Sequence, residues 1–192
     1  MANQRAFDFL RSNRRQDKPR SRGVTEIRGP YYSVVGRRYL EDLFEGFGAY
    51  ADILKFAGGS FSLMPRKELI GLIDLCHHNQ VKVSTGGFLE YVLTQWEQAV
   101  DLYLKECKEV GFDIVEISTG FVTMPVDDIV SLTERVQAAG LLAKPEVGIQ
   151  FGAGGATSVE ALEAEGTSEP GHALEIARGF LERGAYPLQL QS

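Results

Sequence analysis

The sequence predicts an α/β chain of the (βα)8 TIM-barrel type, incomplete, with about five to six βα units present. Three observations predict it. Short β-branched or apolar runs alternate with amphipathic helical stretches, and such alternation requires a parallel sheet because each crossover returns the chain in the same direction. Polar residues and glycines gather just after the strands, the end at which barrels place their chemistry. No Gly-x-Gly-x-x-Gly follows the first strand, which counts against a dinucleotide-binding sheet.

The elements follow in order along the chain. Val24 to Ile27 is the first strand, followed by a loop through Gly29 and Pro30 and a helix from about Arg38 to Phe47. Asp52 to Phe56 is the second strand, with Ala57 to Ser60 as its loop; Pro65 then opens a helix to about Asn79, proline being tolerated in a first turn. Val81 to Ser84 is the third strand and Gly86-Gly87 its turn, before a long helical region from Leu89 to Val110 that Gly111 stops. Asp113 to Ser118, the helix Pro125 to Ala139 and the strand Leu141 to Val147 repeat the unit, and helical stretches cover Ser158 to Glu165 and Gly171 to Arg183. Tyr186 to Ser192 supplies a sixth strand, with Pro187 removing a ladder donor. A full barrel usually needs about 250 residues. At 192 residues the sequence predicts a C-terminally truncated barrel, with residues 1–22 as a flexible basic extension and 23–192 as the partial barrel domain.

Composition narrows the classes of function. With 44% hydrophobic and 24% charged residues, the chain is neither disordered nor low in complexity. No apolar run approaches the about 20 residues that span a bilayer, so no membrane partner is expected. The net charge of −6 hides an asymmetry: residues 1–22 carry +5 and the remainder −11. An acidic body repels phosphate backbones, so nucleic acid is not an expected partner and the basic stretch reads as a solvated tail. Cys76 and Cys107 lack metal-ligand spacing and read as small buried apolar residues in a reducing compartment, which points to the cytoplasm.

Candidate functional residues stand at the strand ends. Lys55 closes an otherwise apolar strand beside Gly58-Gly59-Ser60, where an ammonium can hold a phosphate or carboxylate or move a proton. Glu116, in Ile114-Val115-Glu116-Ile117, and Glu146, in Pro145-Glu146-Val147-Gly148, are carboxylates that are costly to bury unless paired or bound to a metal. On neighbouring strands they could share Mg2+ with substrate oxygens; the competing reading is an internal salt bridge to Lys55, Lys82 or Lys144. Arg28 suits a bidentate clamp on an anion. Gly154 and Gly155, leading into Thr157-Ser158, and Gly86 and Gly87, beside Ser84 and Thr85, offer backbone N–H groups to a phosphate. His77 and His78 fall late in a helix and read as structural.

At these residues the chain resembles the phosphosulfolactate synthase family. Lys18-Pro19-Arg20 with Gly23 and Thr25, Asp52 to Ser60 (DILKFAGGS), Val81 to Glu90 (VKVSTGGFLE), Gly111 to Gly120 (GFDIVEISTG) and Pro145 to Gly148 (PEVG) keep the family's order and spacing. The resemblance implies a (βα)8 barrel and a carbon–sulfur lyase reaction, the Mg2+-dependent addition of sulfite to phosphoenolpyruvate in coenzyme M biosynthesis. It also implies eukaryotic relatives, some associated with heat stress in plants. Lys55, Ser60, Gly86, Gly87, Glu90, Glu116 and Ser118 match the family's pattern. Three departures stand against them. Ile149 and Gln150 replace two lysines after Glu-Val-Gly, the second of which is the implied general acid. Thr119 replaces an aspartate, and Arg28-Gly29-Pro30-Tyr31-Tyr32 replaces an Asp-Lys.

The combined expectation assigns catalysis to Lys55, Glu116 and Glu146, with Mg2+ on Glu116 and Glu146. A small phosphorylated carboxylate would be bound by Arg28, Ser60, Gly86, Gly87, Ser118, Gly154 and Gly155. The alternatives are a non-catalytic, anion-binding or stress-associated relative, or an inactive fragment. Two half-barrels closing on each other would make a homo-oligomer.

Overall fold

The computed structural model describes residues 6–11, 15–29, 34–120, 122, 124–148, 170–185 and 188–191. Six strands form one sheet: β1 (Glu26–Arg28), β2 (Ile53–Lys55), β3 (Lys82–Ser84), β4 (Ile114–Ile117), β5 (Leu142–Gly148) and β6 (Gln189–Gln191). They pair in sequence order, every pair parallel. Helices α1 (Arg37–Phe47), α2 (Arg66–His78), α3 (Leu89–Leu93), α4 (Ala99–Val110), α5 (Val126–Ala138) and α6 (Pro170–Glu182) lie between them. Pro65 and Pro125 stand at the N-caps of α2 and α5, and Gly111 ends α4 at φ 103°, a conformation that costs glycine nothing.

Side chains alternate across a strand, so each strand presents two faces. Leu54, Val83, Val115, Ile117, Ala143 and Val147 join Leu40, Phe44, Ile73, Leu104, Val136 and Phe180 of the helices in one apolar core. The other face holds Glu26, Lys55, Glu116, Lys144, Glu146 and Gln189, which meet one another. Lys144 of β5 reaches Glu26 of β1 at 2.7 Å. In a flat sheet those strands would stand about 19 Å apart, four inter-strand spacings, too far for the two side chains to touch. The sheet is therefore curled, with its polar face inside, as in an incomplete (βα) barrel.

Two features depart from the sequence expectation, and the strand expected over Leu141 to Val147 holds its course. The helical region after Gly86-Gly87 is two helices: the Thr94 hydroxyl and the Gln95 amide both donate to the Tyr91 carbonyl, and such side-chain competition ends a helix. β5 runs through Pro145 without a break, because pairing with β4 ends at Pro145 and pairing with β6 begins at Glu146. Residues 15–22 are not a flexible tail. Lys18 donates to the carbonyls of Gly48 and Asn79 at 3.0 and 2.7 Å, the C-caps of α1 and α2, where a cation suits the helix dipole. Burial lowers the pKa of that ammonium, with Asp52 opposing the shift.

Asp52 anchors the same segment. Its carboxylate takes Arg20 at 2.8 Å, Arg15 at 3.2 Å and the Thr25 N–H at 2.8 Å, and the Arg20 and Asp52 side chains are each 6% exposed. Asp52→Ala would leave a buried guanidinium without its carboxylate and a backbone donor unpaired, a loss of about 3 kcal/mol. The expected thermal unfolding midpoint falls by roughly 6–12 °C, read by circular dichroism.

Candidate functional site

A cavity of about 690 Å³ opens at the C-terminal ends of the strands, lined in part by Arg28, Lys55, Glu90, Glu116, Glu146 and Gln189. Strand register explains the grouping, since Arg28 pairs with Lys55, Lys55 with Ser84, and Glu146 with Gln189. The loops after β2, β3 and β4 complete the wall with Gly58, Gly59, Gly87, Phe88, Ser118, Gly120 and Val122.

Beneath the cavity runs a chain of alternating charge. Lys55 Nζ lies 2.7 Å from Glu116 Oε2, and Lys144 Nζ lies 2.8 Å from the same oxygen and 2.7 Å from Glu26 Oε2. Neither ammonium makes an aligned hydrogen bond to that buried Glu116 oxygen, so the attraction there is an ion pair shared between two cations. Glu116 is 2% and Lys144 3% exposed. The salt-bridge reading of Glu116 thus has a geometric basis, with Lys55 and Lys144 as partners. Lys82 lies elsewhere, at the opposite end of its strand from Ser84.

Glu146 is held differently. It accepts a hydrogen bond from Gln189 Nε2 at 3.1 Å, and Gln189 Oε1 accepts from Lys55 at 3.4 Å. Burial pushes the Glu146 pKa up and the Glu116 carboxylate adds to the shift, against the opposing pulls of Gln189 and Lys55. A carboxyl with a raised folded-state pKa contributes its stability in full below the ordinary glutamate value of about 4.3 and loses it as pH rises through the folded pKa. Glu146→Gln escapes that loss. Its unfolding midpoint is expected above that of the parent protein at about pH 8 and level with it at about pH 4.

The third carboxylate, Glu90 at the start of α3, ties down the loop after β4. It takes the Ser118 hydroxyl and the N–H groups of Gly120 and Val122, the latter two at 3.2 and 3.0 Å. The Ser118 donor is therefore committed to Glu90. Gly86 and Gly87 are glycines for packing: a Cβ on Gly87 would collide with Ser118 Oγ, and one on Gly86, at φ +61°, with the Phe56 carbonyl. Gly87 still lines the cavity. Ser60 starts the short 3-10 turn Ser60–Leu63 beyond the lining glycines.

Gly154, Gly155, Ile149 and Gln150, with the helix predicted over 158–165, lie outside the described residues. Cys76 and Cys107 are buried and unbonded, their thiols pushed up to about 12 by burial, as inert core residues are. His77 pairs with Asp113 at 2.9 Å, a structural contact away from the cavity. Among the described helices none is long and apolar enough to cross a membrane. Glu26, Lys144 and Gln189 are the site's residues that sequence reasoning passed over as functional groups. Alternation within their strands places them on one face, but only the curled sheet brings them together.

The sequence matches the family model of (2R)-phospho-3-sulfolactate synthase (ComA) over residues 13–190. It is 38% identical over 143 residues to Protein HEAT-STRESS-ASSOCIATED 32 of Arabidopsis thaliana, covering 74% of this chain and 50% of that protein. It is 30% identical over 143 residues to phosphosulfolactate synthase of Methanothermobacter thermautotrophicus, covering 74% of this chain and 54% of that one. The chain spans about half the length of these curated relatives. Among solved structures, D-psicose 3-epimerase of Clostridium cellulolyticum H10 superposes with a TM-score of 0.42 at 15% identity, covering 64% of this chain and 51% of that one, a likeness too remote to argue from.

Proposed function

The chain belongs to the (2R)-phospho-3-sulfolactate synthase family, and on that premise we propose that its cavity binds a small phosphorylated carboxylate and catalyses addition of sulfite, or a similar nucleophile, to it. The observation that carries this reading is Lys55, an ammonium at the cavity wall fixed by Glu116 from below and Gln189 from the side.

With phosphoenolpyruvate as substrate, Lys55 and Arg28 grip the anionic groups. The sulfite sulfur forms a bond to the terminal CH2 carbon, and the double-bond pair moves onto the phosphate-bearing carbon, spread into the carboxylate. A proton from the Lys55 ammonium then bonds to that carbon, and solvent restores the lysine. Nothing is oxidised or reduced. Lys55 takes the donor role because Gln150 has no proton to give in that way.

Mg2+ would be held in this pocket by protein and substrate oxygens together. Among the described residues no group of three or more His, Cys, Asp and Glu side chains could hold it alone. Among the described lining residues two cationic side chains, Arg28 and Lys55, face three acidic ones, Glu90, Glu116 and Glu146, so an anionic substrate would meet a net negative charge there. Burial raises the Glu146 pKa, and a cation bound beside that carboxylate would favour its charged form. Glu146 would supply the first protein oxygen for it, and Glu116, with Oε2 already between two ammoniums, the second. Bound there, the ion would neutralise the enolate-like charge that develops on the substrate. Buried, unbonded cysteines favour the cytoplasm as the compartment.

A second reading, anion binding without turnover, is favoured by Gln150 and by the identity to the plant heat-stress-associated protein. Phosphorus NMR of the chain incubated with Mg2+, phosphoenolpyruvate and sulfite separates the two. A new phosphate-ester signal that Lys55→Ala fails to produce supports the enzyme. An unchanged phosphoenolpyruvate signal, with binding retained, supports the second reading.

A further inference from the structure

Gln189 belongs to no motif and carries no charge, yet it joins the two groups on which the proposed binding rests. It lies on β6 directly opposite Glu146, lines the cavity, and pairs through both ends of its amide. Nε2 donates to Glu146 Oε1 at 3.1 Å, and Oε1 accepts from Lys55 at 3.4 Å, bridging β5 to β2. A neutral amide presents a donor to a carboxylate and an acceptor to an ammonium at the same time. A glutamate there would attract Lys55 and repel Glu146; an apolar residue would orient neither. Among the described residues, the other charged groups that act on Glu146 are Glu116 on β4 and Glu90 on α3, both acidic, so the restraint on it comes from Gln189 and Lys55.

We propose that Gln189 is a positioning residue, whose amide orients Lys55 and Glu146 towards the cavity and so sets the affinity for the phosphorylated carboxylate. This rests on the anion-binding reading above. Phosphoenolpyruvate affinity with Mg2+ is measured by titration calorimetry from about pH 5 to pH 8 for the parent protein, Gln189→Leu and Gln189→Glu, each first shown by circular dichroism to be folded. Gln189→Leu is expected to bind about tenfold more weakly at every pH, since it loses both hydrogen bonds. Gln189→Glu is expected to match that loss at pH 8 and to recover towards the parent value as pH falls, because a protonated carboxyl again offers one donor and one acceptor. A Gln189→Leu affinity equal to the parent's, or a Gln189→Glu affinity with the parent's pH dependence, overturns the proposal.

A crystal structure of ligand-free Gln189→Leu decides the matter even if the parent protein binds no phosphoenolpyruvate, an outcome that would sink the anion-binding reading alone. The Lys55 and Glu146 side chains are expected to leave the orientations they hold against the Gln189 amide. Unchanged orientations of both remove the positioning role. If Gln189→Leu does not fold, the structure of Gln189→Glu at about pH 8 carries the test, with Glu146 turned away from residue 189 expected and its parent orientation contradicting the proposal.

Discussion

Lys55→Ala is expected to leave the protein folded and to remove the proposed grip on the anion. Glu116 keeps Lys144 as a partner when Lys55 is truncated, so no buried carboxylate is stranded. What disappears is the ammonium at the cavity wall. A charged hydrogen bond of about 1.5–3 kcal/mol translates into a loss of roughly 10- to 100-fold in phosphoenolpyruvate affinity. Removing a proton donor lowers turnover by a further factor of about 10²–10⁴. Lys55→Arg divides the two effects: a guanidinium holds anions well but does not give up its proton. Calorimetry should find binding close to normal in Lys55→Arg, while the sulfite-addition assay finds turnover as low as in Lys55→Ala. Equal turnover in Lys55→Arg and the parent protein would take the donor role away from Lys55.

Glu116→Gln has the larger effect on stability. The substitution is close to isosteric but leaves two ammoniums 2.7 and 2.8 Å from a neutral amide, one of them on a lysine that is 3% exposed. Breaking a buried pair by neutralising one side costs about 3–5 kcal/mol, because the remaining charge stays buried without compensation. Lys144 keeps Glu26, which places the expectation near the lower bound and the fall in unfolding midpoint at roughly 6–12 °C. The same change at Glu146 should stabilise the protein at neutral pH. Opposite signs at two carboxylates separate a charge that cements the fold from one left available to a ligand. Loss of stability in both variants would contradict that division.

The sequence treats these two glutamates as equals, since each interrupts an apolar strand. Their difference comes from residues far away along the chain: Lys55 and Lys144 for Glu116, Gln189 for Glu146. Pairing over such separations follows from barrel curvature, which no local pattern encodes. Strands, glycine turns and proline-led helices were legible because each depends on neighbours a few residues off, as at Pro65, Gly111 and Pro125. The split at Thr94 was hidden because apolar periodicity continues through it, while the break comes from side-chain hydrogen bonds to the Tyr91 carbonyl. Arg15, Lys18 and Arg20 looked like a loose basic arm because their partners do not exist until the chain folds: the Asp52 carboxylate and the carbonyls at the ends of α1 and α2. Gly86 and Gly87 were visible as special positions. That they make room for Ser118 and the Phe56 carbonyl takes the third dimension to see.

The cavity above the Lys55–Glu116–Lys144 chain is proposed to hold a phosphorylated carboxylate together with Mg2+. Thermal unfolding of the 192-residue chain, alone and with Mg2+, phosphoenolpyruvate or both, tests it most directly. Only ligands that bind the native state raise the midpoint. A cooperative transition is expected that moves upward with both ligands present, more than with either alone, and that fails to move in Lys55→Ala. A cooperative transition indifferent to the pair would contradict it.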